Sequence, residues 1–424
     1  MPPRQNDNLV IHQHSEYRIA DLAHRYESRY PWKLQSPVAL ILSDELECVA
    51  AAAWLAGTGI DALLLPEERY TPALHELLLE SGYVIELKHS HTEPRVATPL
   101  QPNRITLLTS GTVGMPKLIP HTWDTLFTLH RTKKRIEPNN WLVSYQPGTY
   151  AWYQLITMGL FVPEQTLTIS NSRDPFDQFR VAIASNVTAV SATPTFWRYL
   201  LMRFTDHELK KLKLRQITLG GERVDQAILH QVSKLFPNAR ITHIYASTEV
   251  GVGIVVHDGM AGFPADWITT KEDTSQYDSD NSAPRLKIAD DILWVMSKNA
   301  MSNATGWINT GDVTRRVGDR IEIIGRAGSE LINVGGAKVI PGEIEQLLLS
   351  HPDVLWCRVF GRRAPLVGEL VVVELVLRKG SAVRENDLIE YLNGRVASYA
   401  IPRLWSFLEE IPLTANLKTA QQHH

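Results

Sequence analysis

Short apolar runs alternate with helical stretches along the first hundred residues of the chain. Three apolar runs have the length of buried strands: 37–43, 60–66 and 83–87. The stretch 45–59, closed by Gly57, and the stretch 71–82 have the pattern of helices. Because strands that alternate with helices favour parallel pairing, this part of the chain predicts a parallel sheet covered by helices.

The same alternation resumes between residues 104 and 256. Apolar runs of strand length and amphipathic stretches follow one another, and glycine or proline marks many of the boundaries. A helix is expected before the strand at 189–192, and a second helix begins at Pro194. The remaining predicted elements are strands at 104–108, 214–221 and 239–251, a helix at 225–236 and short antiparallel strands over 283–298.

The pattern changes after about Arg326. A hairpin with a glycine pair leads into a helix that begins at Pro341, and two strands and another helix follow. This order predicts a small α+β domain of roughly a hundred residues, a common domain size. We therefore expect an N-terminal domain over 1–325, with subdomains of about 1–100 and 101–325, and a separate C-terminal domain over 326–424.

Composition and charge narrow the class of protein. Hydrophobic residues make up 44% and charged residues 21% of the 424 residues, the balance of a soluble globular chain. The net charge of −3 argues against nucleic-acid binding, and two cysteines argue against a disulfide scaffold. No apolar run reaches the length of a membrane span, and the N-terminus lacks a signal-peptide apolar region. We therefore expect a cytoplasmic protein with no membrane partner.

Residues 108–120 (LTSGTVGMPKLIP) are the most informative stretch for chemistry. Hydroxyl groups can donate hydrogen bonds, glycines let backbone N–H groups approach an anion, and a lysine adds a positive charge. The spacing differs from that of a Walker A loop. Taken alone, the stretch could be a plain turn between two strands. As a polyphosphate loop, its binding groups would be Thr109, Ser110, Gly111, Thr112, Gly114 and Lys117.

Further glycine and acid clusters follow this loop in a definite order. They are LGGERV (219–224), YASTEVG (245–251), NTGD (309–312), GR (325–326), GGAKVIPGEIE (335–345) and NLKTA (416–420). The series resembles the acyl-adenylate-forming (ANL) superfamily of acyl- and aryl-CoA synthetases, peptide-synthetase adenylation domains and luciferases, over roughly residues 100–420. The resemblance implies an α/β fold. This fold would consist of a large layered N-terminal domain with a reduced first subdomain, plus a small α+β C-terminal lid domain.

The resemblance implies that ATP and a carboxylate form an acyl-adenylate and pyrophosphate, after which a thiol usually displaces AMP. Lys117 and the loop hydroxyls would hold the β- and γ-phosphates. Glu249 would carry Mg²⁺, which favours carboxylate and phosphate oxygens, and Thr248 would hydrogen-bond the α-phosphate. Lys418 matches the lysine that bridges the substrate carboxylate and the α-phosphate, delivered by a lid-type movement of the small domain.

The nucleoside part of ATP would meet a separate set of residues. Tyr245 would stack on adenine, and Asp312 would accept hydrogen bonds from both ribose hydroxyls. Arg326 would reach the same sugar. The other edge of the base would be lined by Gly220, Gly221 and Glu222.

Each residue also has a purely structural interpretation when it is taken alone. Glu249 could be a helix-cap residue and Asp312 a turn residue. Tyr245 could belong to the core, and Lys418 could be a solvated surface charge. The ordered series of motifs is what favours the functional interpretation.

Residues 145–160 (YQPGTYAWYQLITMGL) contain no acidic residue. Relatives that activate α-amino acids carry an aspartate in the corresponding segment, so an α-ammonium substrate is disfavoured, because a buried unpaired charge is costly. The segment is aromatic instead, which favours an aryl or a short- to medium-chain acyl group. Alternatively, these aromatics only pack the core. The pocket residues would be Tyr150, Trp152, Ser191, Thr193 and Ala246.

Several positions depart from the pattern of the superfamily. Ala246 and Leu417 stand where glycine is usual, and the hinge position after Arg326 is Gly328, which permits the dihedral change of a domain rotation. In thioester-forming relatives the glycine-rich hairpin also lines the pantetheine tunnel. The matching residues here are Gly335, Gly336 and Lys338.

We therefore expect an ATP- and Mg²⁺-dependent acid–thiol ligase for a non-amino carboxylic acid. The acyl acceptor would be CoA or the phosphopantetheine of an acyl carrier protein. A second hypothesis keeps the adenylation but transfers the acyl group to an amine. A third hypothesis is a catalytically silent homologue that binds nucleotide, motivated by the altered NLKT motif and the short N-terminal part.

Overall fold

The computed structural model describes residues 7–28, 36–88, 90–109, 116–129, 135–269, 284–327, 331–364 and 368–413. These residues form four sheets with helices packed between and over them. None of the described helices has the length and apolar character that a membrane crossing requires.

The first part of the chain contains strands and helices in close alternation. Its elements are β1 (Leu9–His12), β2 (Ser15–Arg18), α1 (Ile19–Glu27), β3 (Val38–Leu42), α2 (Glu45–Thr58), β4 (Ala62–Pro66), α3 (Pro72–Glu80), β5 (Val84–Leu87), β6 (Ser90–Thr92), β7 (Arg104–Thr109) and β8 (Lys117–Thr122).

Strands β3 to β8 form a six-stranded sheet, the first sheet, in the order β6-β5-β3-β4-β7-β8. The four inner strands are parallel, and β6 and β8 pair antiparallel at the edges. The predicted parallel sheet is therefore confirmed. Helix α2 runs past Gly57 and ends at Thr58. The next residue, Gly59, caps it in the left-handed conformation (φ 69°) and donates its N–H to the Leu55 carbonyl at 2.9 Å.

The second part of the chain extends the alternation over residues 123–256. Its elements are α4 (Trp123–Leu126), β9 (Asn139–Val143), α5 (Tyr150–Phe161), β10 (Gln165–Ile169), α6 (Pro175–Ala184), β11 (Ala189–Ala192), α7 (Pro194–Arg203), α8 (Asp206–Leu209), β12 (Gln216–Gly220), α9 (Gln226–Leu235), β13 (Arg240–Ser247) and β14 (Gly251–Val256).

These strands form an eight-stranded sheet, the second sheet, in the order β14-β13-β12-β11-β9-β10-β1-β2. The N-terminal strand β1 pairs parallel with β10, with Leu9 opposite Thr166. The two sheets therefore do not divide the chain near residue 100, where we expected the boundary between the subdomains. Strands β1 and β2 join the second sheet, and strands β7 and β8 join the first, because pairing depends on where unpaired strand edges lie in space.

A smaller antiparallel sheet, the third sheet, closes the large domain. It consists of β15 (Phe263–Pro264), β16 (Arg285–Ala289), β17 (Ile292–Met296), β18 (Ile308–Val317) and β19 (Arg320–Arg326). The order is β15-β19-β18-β17-β16, so β18 and β19 form a long hairpin that ends at Arg326.

The small domain has a sheet and a hydrophobic core of its own. Its elements are β20 (Ile332–Val334), β21 (Ala337–Val339), α10 (Pro341–Leu349), β22 (Val354–Ala364), β23 (Gly368–Leu377), α11 (Glu385–Leu392) and β24 (Leu404–Phe407). Both helices pack on the sheet through buried Ile344, Leu348, Leu388 and Leu392. The predicted hairpin, the helix start at Pro341 and the α+β composition are confirmed.

Candidate active site

A cleft of about 2310 Å³ runs between the sheets of the large domain and reaches the small domain. Strands β9, β11, β12 and β13 are parallel, so their carboxyl ends meet at one edge of the second sheet. Gly220 and Ser247 end two of these strands and line the cleft, as does Thr109 at the end of β7. Crevices at the carboxyl ends of parallel strands are the usual place for ligand sites in α/β folds.

Only part of the predicted phosphate loop lies within the described residues. Thr109 is half-buried at the end of β7 and pairs across the hairpin with exposed Lys117 in β8. Thr109 lines the cleft, so a hydroxyl and an ammonium group flank the loop. The predicted loop residues Ser110, Gly111, Thr112 and Gly114, the hinge residue Gly328, and Lys418 lie outside the described residues.

Thr248 and Glu249 lie in the turn between β13 and β14 and line the cleft. The Glu249 carbonyl accepts a hydrogen bond from the Met301 N–H at 2.9 Å, which joins this turn to the connection between β17 and β18. Among the described residues, no group of three His, Cys, Asp or Glu side chains is arranged to hold a metal ion. A single carboxylate fits Mg²⁺, which is often bound through one or two carboxylates, water and substrate phosphates.

His121, in strand β8, contacts this turn. The sequence pattern did not identify it as a site residue. Its Nε2 lies 2.6 Å from the Thr248 carbonyl oxygen and its Nδ1 lies 2.9 Å from Thr125 Oγ1. Burial lowers the pKa of His121 to about 4, so the ring is neutral at pH 7 and can donate from Nε2. A single histidine in a strand carries no recognisable signal in the sequence, because its partner is 127 residues away.

Tyr245, Asp312 and Arg326 come together where the second and third sheets meet. The Tyr245 hydroxyl donates to Asp312 Oδ2 at 2.5 Å, and Arg326 Nε lies 3.5 Å from Asp312 Oδ1. All three residues line the cleft. Burial raises the pKa of Asp312, while the Tyr245 hydrogen bond and the Arg326 charge act in the opposite direction. The arrangement places a carboxylate beside a cation at the cleft.

Residues 220–222 form the end of β12 and the turn after it. Gly221 has φ of 81°, a conformation that glycine adopts without strain. Glu222 lines the cleft, and its Oε2 accepts the backbone N–H of Thr195 at 3.0 Å, in the first turn of α7. Glu222 therefore also anchors the start of a helix that backs the cleft.

The predicted acyl pocket is formed by only some of its proposed residues. Tyr150, Ser191 and Ala246 line the cleft together with Tyr145, whose hydroxyl is 3.5 Å from Ser191 Oγ. The Tyr150 hydroxyl accepts the backbone N–H of Val252 at 3.1 Å, which fixes the ring.

Two predicted pocket residues are placed elsewhere. Trp152 is 0% exposed in the core and packs edge-on against Tyr153 with ring centroids 5.0 Å apart. Residues two apart on a helix point to nearly opposite sides, so Trp152 faces away when Tyr150 faces the cleft. Thr193 is buried as the N-cap of α7, where its Oγ1 accepts the Phe196 N–H at 3.1 Å. Neither residue lines the cleft, and a role for them in substrate binding stays a prediction.

The small domain faces the cleft with the start of helix α10. Arg223 of the large domain donates to the Gly342 carbonyl at 2.8 Å and to Glu345 Oε2 at 3.0 Å, so the start of α10 contacts the edge of the cleft. The predicted thiol-tunnel residues Gly335, Gly336 and Lys338 are exposed in the β20–β21 hairpin and do not line the cleft. A thiol role for this hairpin stays a prediction.

Sequence comparison places the chain among known proteins. The sequence profile of AMP-binding enzymes matches residues 40–288, and that of the AMP-binding enzyme C-terminal domain matches residues 343–418. The chain is 24% identical over 358 residues to a 4-coumarate–CoA ligase of Humulus lupulus, covering 74% of this chain and 63% of the relative. It is 25% identical over 389 residues to a 2-succinylbenzoate–CoA ligase of Bacillus velezensis, covering 84% and 76%. The chain thus spans less than two thirds of the length of the first of these curated relatives.

Solved structures share the fold at low sequence identity. A variant of MenE from E. coli with bound OSB-AMS has a TM-score of 0.70 at 19% identity, with 95% of this chain and 93% of that chain covered. The amide bond synthetase McbA from Marinactinospora thermotolerans has a TM-score of 0.67 at 17% identity, with 97% and 95% covered. Both likenesses extend over the large and the small domain.

Proposed function

Since the chain belongs to the AMP-binding enzymes of the acyl-adenylate-forming superfamily, we propose that it activates a non-amino carboxylic acid with ATP and transfers the acyl group to a thiol. The observation that supports this most is the joint placement of Thr248, Glu249, Tyr245, Asp312 and Arg326 around one cleft. These groups match the requirements of a nucleotide from its metal-bound phosphates to its ribose.

Electrostatic repulsion between the carboxylate and ATP opposes the adenylation step. A carboxylate oxygen attacks the α-phosphorus of ATP, the bond to the β-phosphate oxygen breaks, and its electron pair leaves with pyrophosphate. Both reactants are anions, so groups fixed in advance around the α-phosphate lower the barrier. Thr248 would donate a hydrogen bond there, and Lys117 would neutralise the departing phosphates. Mg²⁺ held at Glu249 would supply further positive charge to the phosphate oxygens.

Asp312 and Arg326 would position the nucleoside. An ionised carboxylate can accept hydrogen bonds from both ribose hydroxyls, whereas a protonated one has lost part of that capacity. The charge of Arg326 and the hydrogen bond from Tyr245 both favour the ionised form of Asp312. Tyr245 therefore has a second role besides the predicted stacking on adenine.

The nature of the acid follows from the cleft residues beside the nucleotide groups. Tyr145, Tyr150, Ser191 and Ala246 offer aromatic, hydroxyl and methyl surface, with no carboxylate from the segment 145–160 to pair with an ammonium group. This lining supports an aryl or a short- to medium-chain acyl group. The proposed acceptor is CoA or a carrier-protein phosphopantetheine. Transfer to an amine is the second candidate. The chain shares its fold with an amide bond synthetase, so the fold is compatible with this alternative.

ATP–pyrophosphate exchange driven by a panel of aryl, fatty and amino acids tests the adenylation step. We expect exchange with a non-amino acid and a strong loss of exchange in Lys418→Ala. Lys379→Ala, which removes an exposed lysine of the same domain, is the matched control. Exchange that depends on an α-amino acid would contradict the proposed substrate class. ATP binding without exchange for any acid would favour the silent homologue.

The acceptor is tested on the acid that supports exchange. Formation of a thioester with CoA or with a pantetheinylated carrier protein is the expected outcome. Amide formation with an added amine, without any thioester, would replace the thiol by an amine as the acceptor.

A further inference from the structure

Two hydroxyl side chains meet at the carboxyl ends of neighbouring strands of the second sheet. Ser191 lies in β11, and Tyr145 follows the end of β9 by two residues. The two strands are parallel neighbours, with Val190 opposite Leu142. Tyr145 and Ser191 both line the cleft, so the pair belongs to the wall of the proposed acyl pocket.

The hydroxyl groups of this pair retain hydrogen-bonding capacity. Tyr145 Oη lies 3.5 Å from Ser191 Oγ, which is longer than the roughly 2.5–3.0 Å of a well-formed O–H···O hydrogen bond. In the part of the chain that the structure describes, Tyr145 Oη has no shorter hydrogen bond than this one. A ligand oxygen or nitrogen that contacts both hydroxyl groups would therefore replace one weak hydrogen bond by two good ones.

The protein fixes the backbone of both residues through side chains that do not line the cleft. The Ser144 hydroxyl donates to the Ser191 carbonyl and so joins the two strand ends. Arg173 Nη1 donates to the Tyr145 carbonyl at 3.0 Å, and Arg173 Nη2 lies 3.4 Å from Glu45 Oε2. The hydroxyl pair is therefore in place before a ligand binds, as selective recognition of a small polar group requires.

The charges around the pair favour a neutral polar group of the ligand over an anionic one. Burial raises the pKa of Tyr145, although the Ser191 hydrogen bond opposes this, so the hydroxyl keeps its proton and can donate or accept. The Glu222 carboxylate also lines the cleft, and its negative charge raises the pKa of Tyr145 further. A second carboxylate on the acid would be repelled by Glu222 and would lose its hydration in the buried site.

We infer that Tyr145 and Ser191 select an acid that carries a neutral hydroxyl or amino substituent on its acyl group. The inference rests on the proposed function and names a substrate class within it. Tyr145 hydrogen-bonds the substituent, and Ser191 supplies the second hydrogen bond. A methyl group of similar size would leave the two hydroxyl groups with only their long mutual contact, so the pocket should discriminate against it.

ATP–pyrophosphate exchange on matched acids tests the inference. The panel consists of benzoic and cinnamic acids with a hydroxyl, amino, methyl or carboxylate substituent at each ring position. Short and medium straight-chain acids with and without a terminal hydroxyl group complete it. We expect kcat/KM for a hydroxyl- or amino-substituted acid to exceed that of its methyl and carboxylate analogues by at least about 10-fold.

Tyr145→Phe and Ser191→Ala should remove this preference. Each variant should lower kcat/KM for the hydroxyl- or amino-substituted acid by about 10-fold and change that for the methyl analogue by less than about 2-fold. The KM for ATP should stay the same, because neither residue is proposed to contact the nucleotide. Tyr83→Phe is the matched control, since Tyr83 donates a buried hydroxyl to Thr106 at 2.7 Å and does not line the cleft.

The outcomes separate this inference from the proposed function. If exchange occurs without a preference for the hydroxyl- or amino-substituted acid, the inference is wrong while adenylation stands. The same holds if Tyr145→Phe and Ser191→Ala slow the substituted acid and its methyl analogue equally. If no acid supports exchange in the unmodified protein, the proposed function and the inference both fail. Should Tyr145→Phe not fold, Ser191→Ala carries the comparison.

Discussion

The Tyr245 hydroxyl donates a hydrogen bond to Asp312 Oδ2 at 2.5 Å. This contact joins β13 of the second sheet to β18 of the third sheet, at the place where the ribose of a nucleotide is proposed to bind. Tyr245 is thereby fixed by its hydroxyl group. Burial raises the pKa of Asp312, and the hydrogen bond from Tyr245 acts in the opposite direction.

Replacing Tyr245 with phenylalanine should change the pH dependence of nucleotide binding. Burial raises the pKa of Asp312 and the Tyr245 hydrogen bond lowers it, so the variant should have a higher Asp312 pKa. AMP binding, which uses the ionised carboxylate, should then be lost at a higher pH when the solution is acidified. Titrations of AMP affinity against pH measure the shift. Tyr399→Phe, at an exposed tyrosine, is the control, and an identical pH profile for Tyr245→Phe would contradict the proposed role.

Replacing Glu249 with glutamine should raise the Mg²⁺ concentration that the exchange reaction requires. An amide oxygen is a weaker ligand than a carboxylate for a hard cation. We expect the required Mg²⁺ concentration to rise by at least about 10-fold. This is the lower end of the loss in metal affinity when a residue that supports a metal site is replaced. The measurement is the exchange rate against Mg²⁺ concentration at fixed ATP. Glu390→Gln, on an exposed face of α11, should leave the curve unchanged, and an unchanged curve for Glu249→Gln would argue against a metal ligand.

His121 should make the stability of the protein depend on mild acidification. Its folded-state pKa is lowered from 6.5 to about 4, so the unfolded chain binds a proton more readily than the folded protein does. The stabilising contribution is therefore present above pH 6.5 and is lost as the pH falls towards about 4. His121→Gln has no titrating ring, so its free energy of unfolding should fall less over that window.

Urea unfolding of His121→Gln and His121→Ala at several pH values measures this effect. The alanine variant should be less stable at neutral pH by about 1–3 kcal/mol, because the Thr248 carbonyl loses its buried donor. It should also need more ATP for half-maximal exchange, since Thr248 and Glu249 share the turn that His121 supports. Parallel pH profiles for the histidine and glutamine proteins would refute the assignment.

Asp61 should be a strong stabilising residue of the first sheet. Its side chain is 0% exposed, and it accepts hydrogen bonds from Arg104 at 2.8 Å and from the Gln101 N–H at 3.0 Å. Asp61→Ala leaves the Arg104 charge without its partner and should cost about 3–5 kcal/mol of unfolding free energy. Urea denaturation of the unmodified protein and of Asp61→Ala measures this loss of unfolding free energy. The exposed pair of Arg135 and Glu164 supplies the control, because Glu164→Ala should cost less than about 1 kcal/mol.

Replacing Gly342 with alanine should push the small domain away from the large one. A β-carbon there would lie 1.9 Å from the Ile324 carbonyl oxygen, a backbone atom that cannot swing aside. The contacts of Arg223 with Gly342 and Glu345 should weaken as well. Limited proteolysis and small-angle scattering should show a more open molecule. Arg223→Gln removes the polar contacts without the clash and should give a smaller change, while unchanged scattering for Gly342→Ala would show that the interface adapts locally.

Much of the fold could be predicted from the chain, because local periodicity and glycine or proline boundaries specify each element. The strand at 189–192, the helix start at Pro194 and the helix start at Pro341 agree with the structure. The parallel core of the first sheet follows from strands that alternate with helices. Residues of the motifs at 219–224, 245–251, 309–312 and 325–326 line one cleft, and their shared role in nucleotide binding stays a prediction from the resemblance.

The tertiary structure decided which side chains face the cleft and which support it from behind. Trp152 and Tyr150 are both buried aromatic residues of α5, yet the helical rotation between them leaves only Tyr150 in the lining of the cleft. The pairing of β1 with β10 and the contact of His121 with Thr248 both depend on residues that are distant in the chain. Local sequence therefore determined the elements and the chemistry of the motifs. Only packing between distant segments determined their orientation, because hydrogen bonding and burial depend on neighbours that the local pattern does not contain.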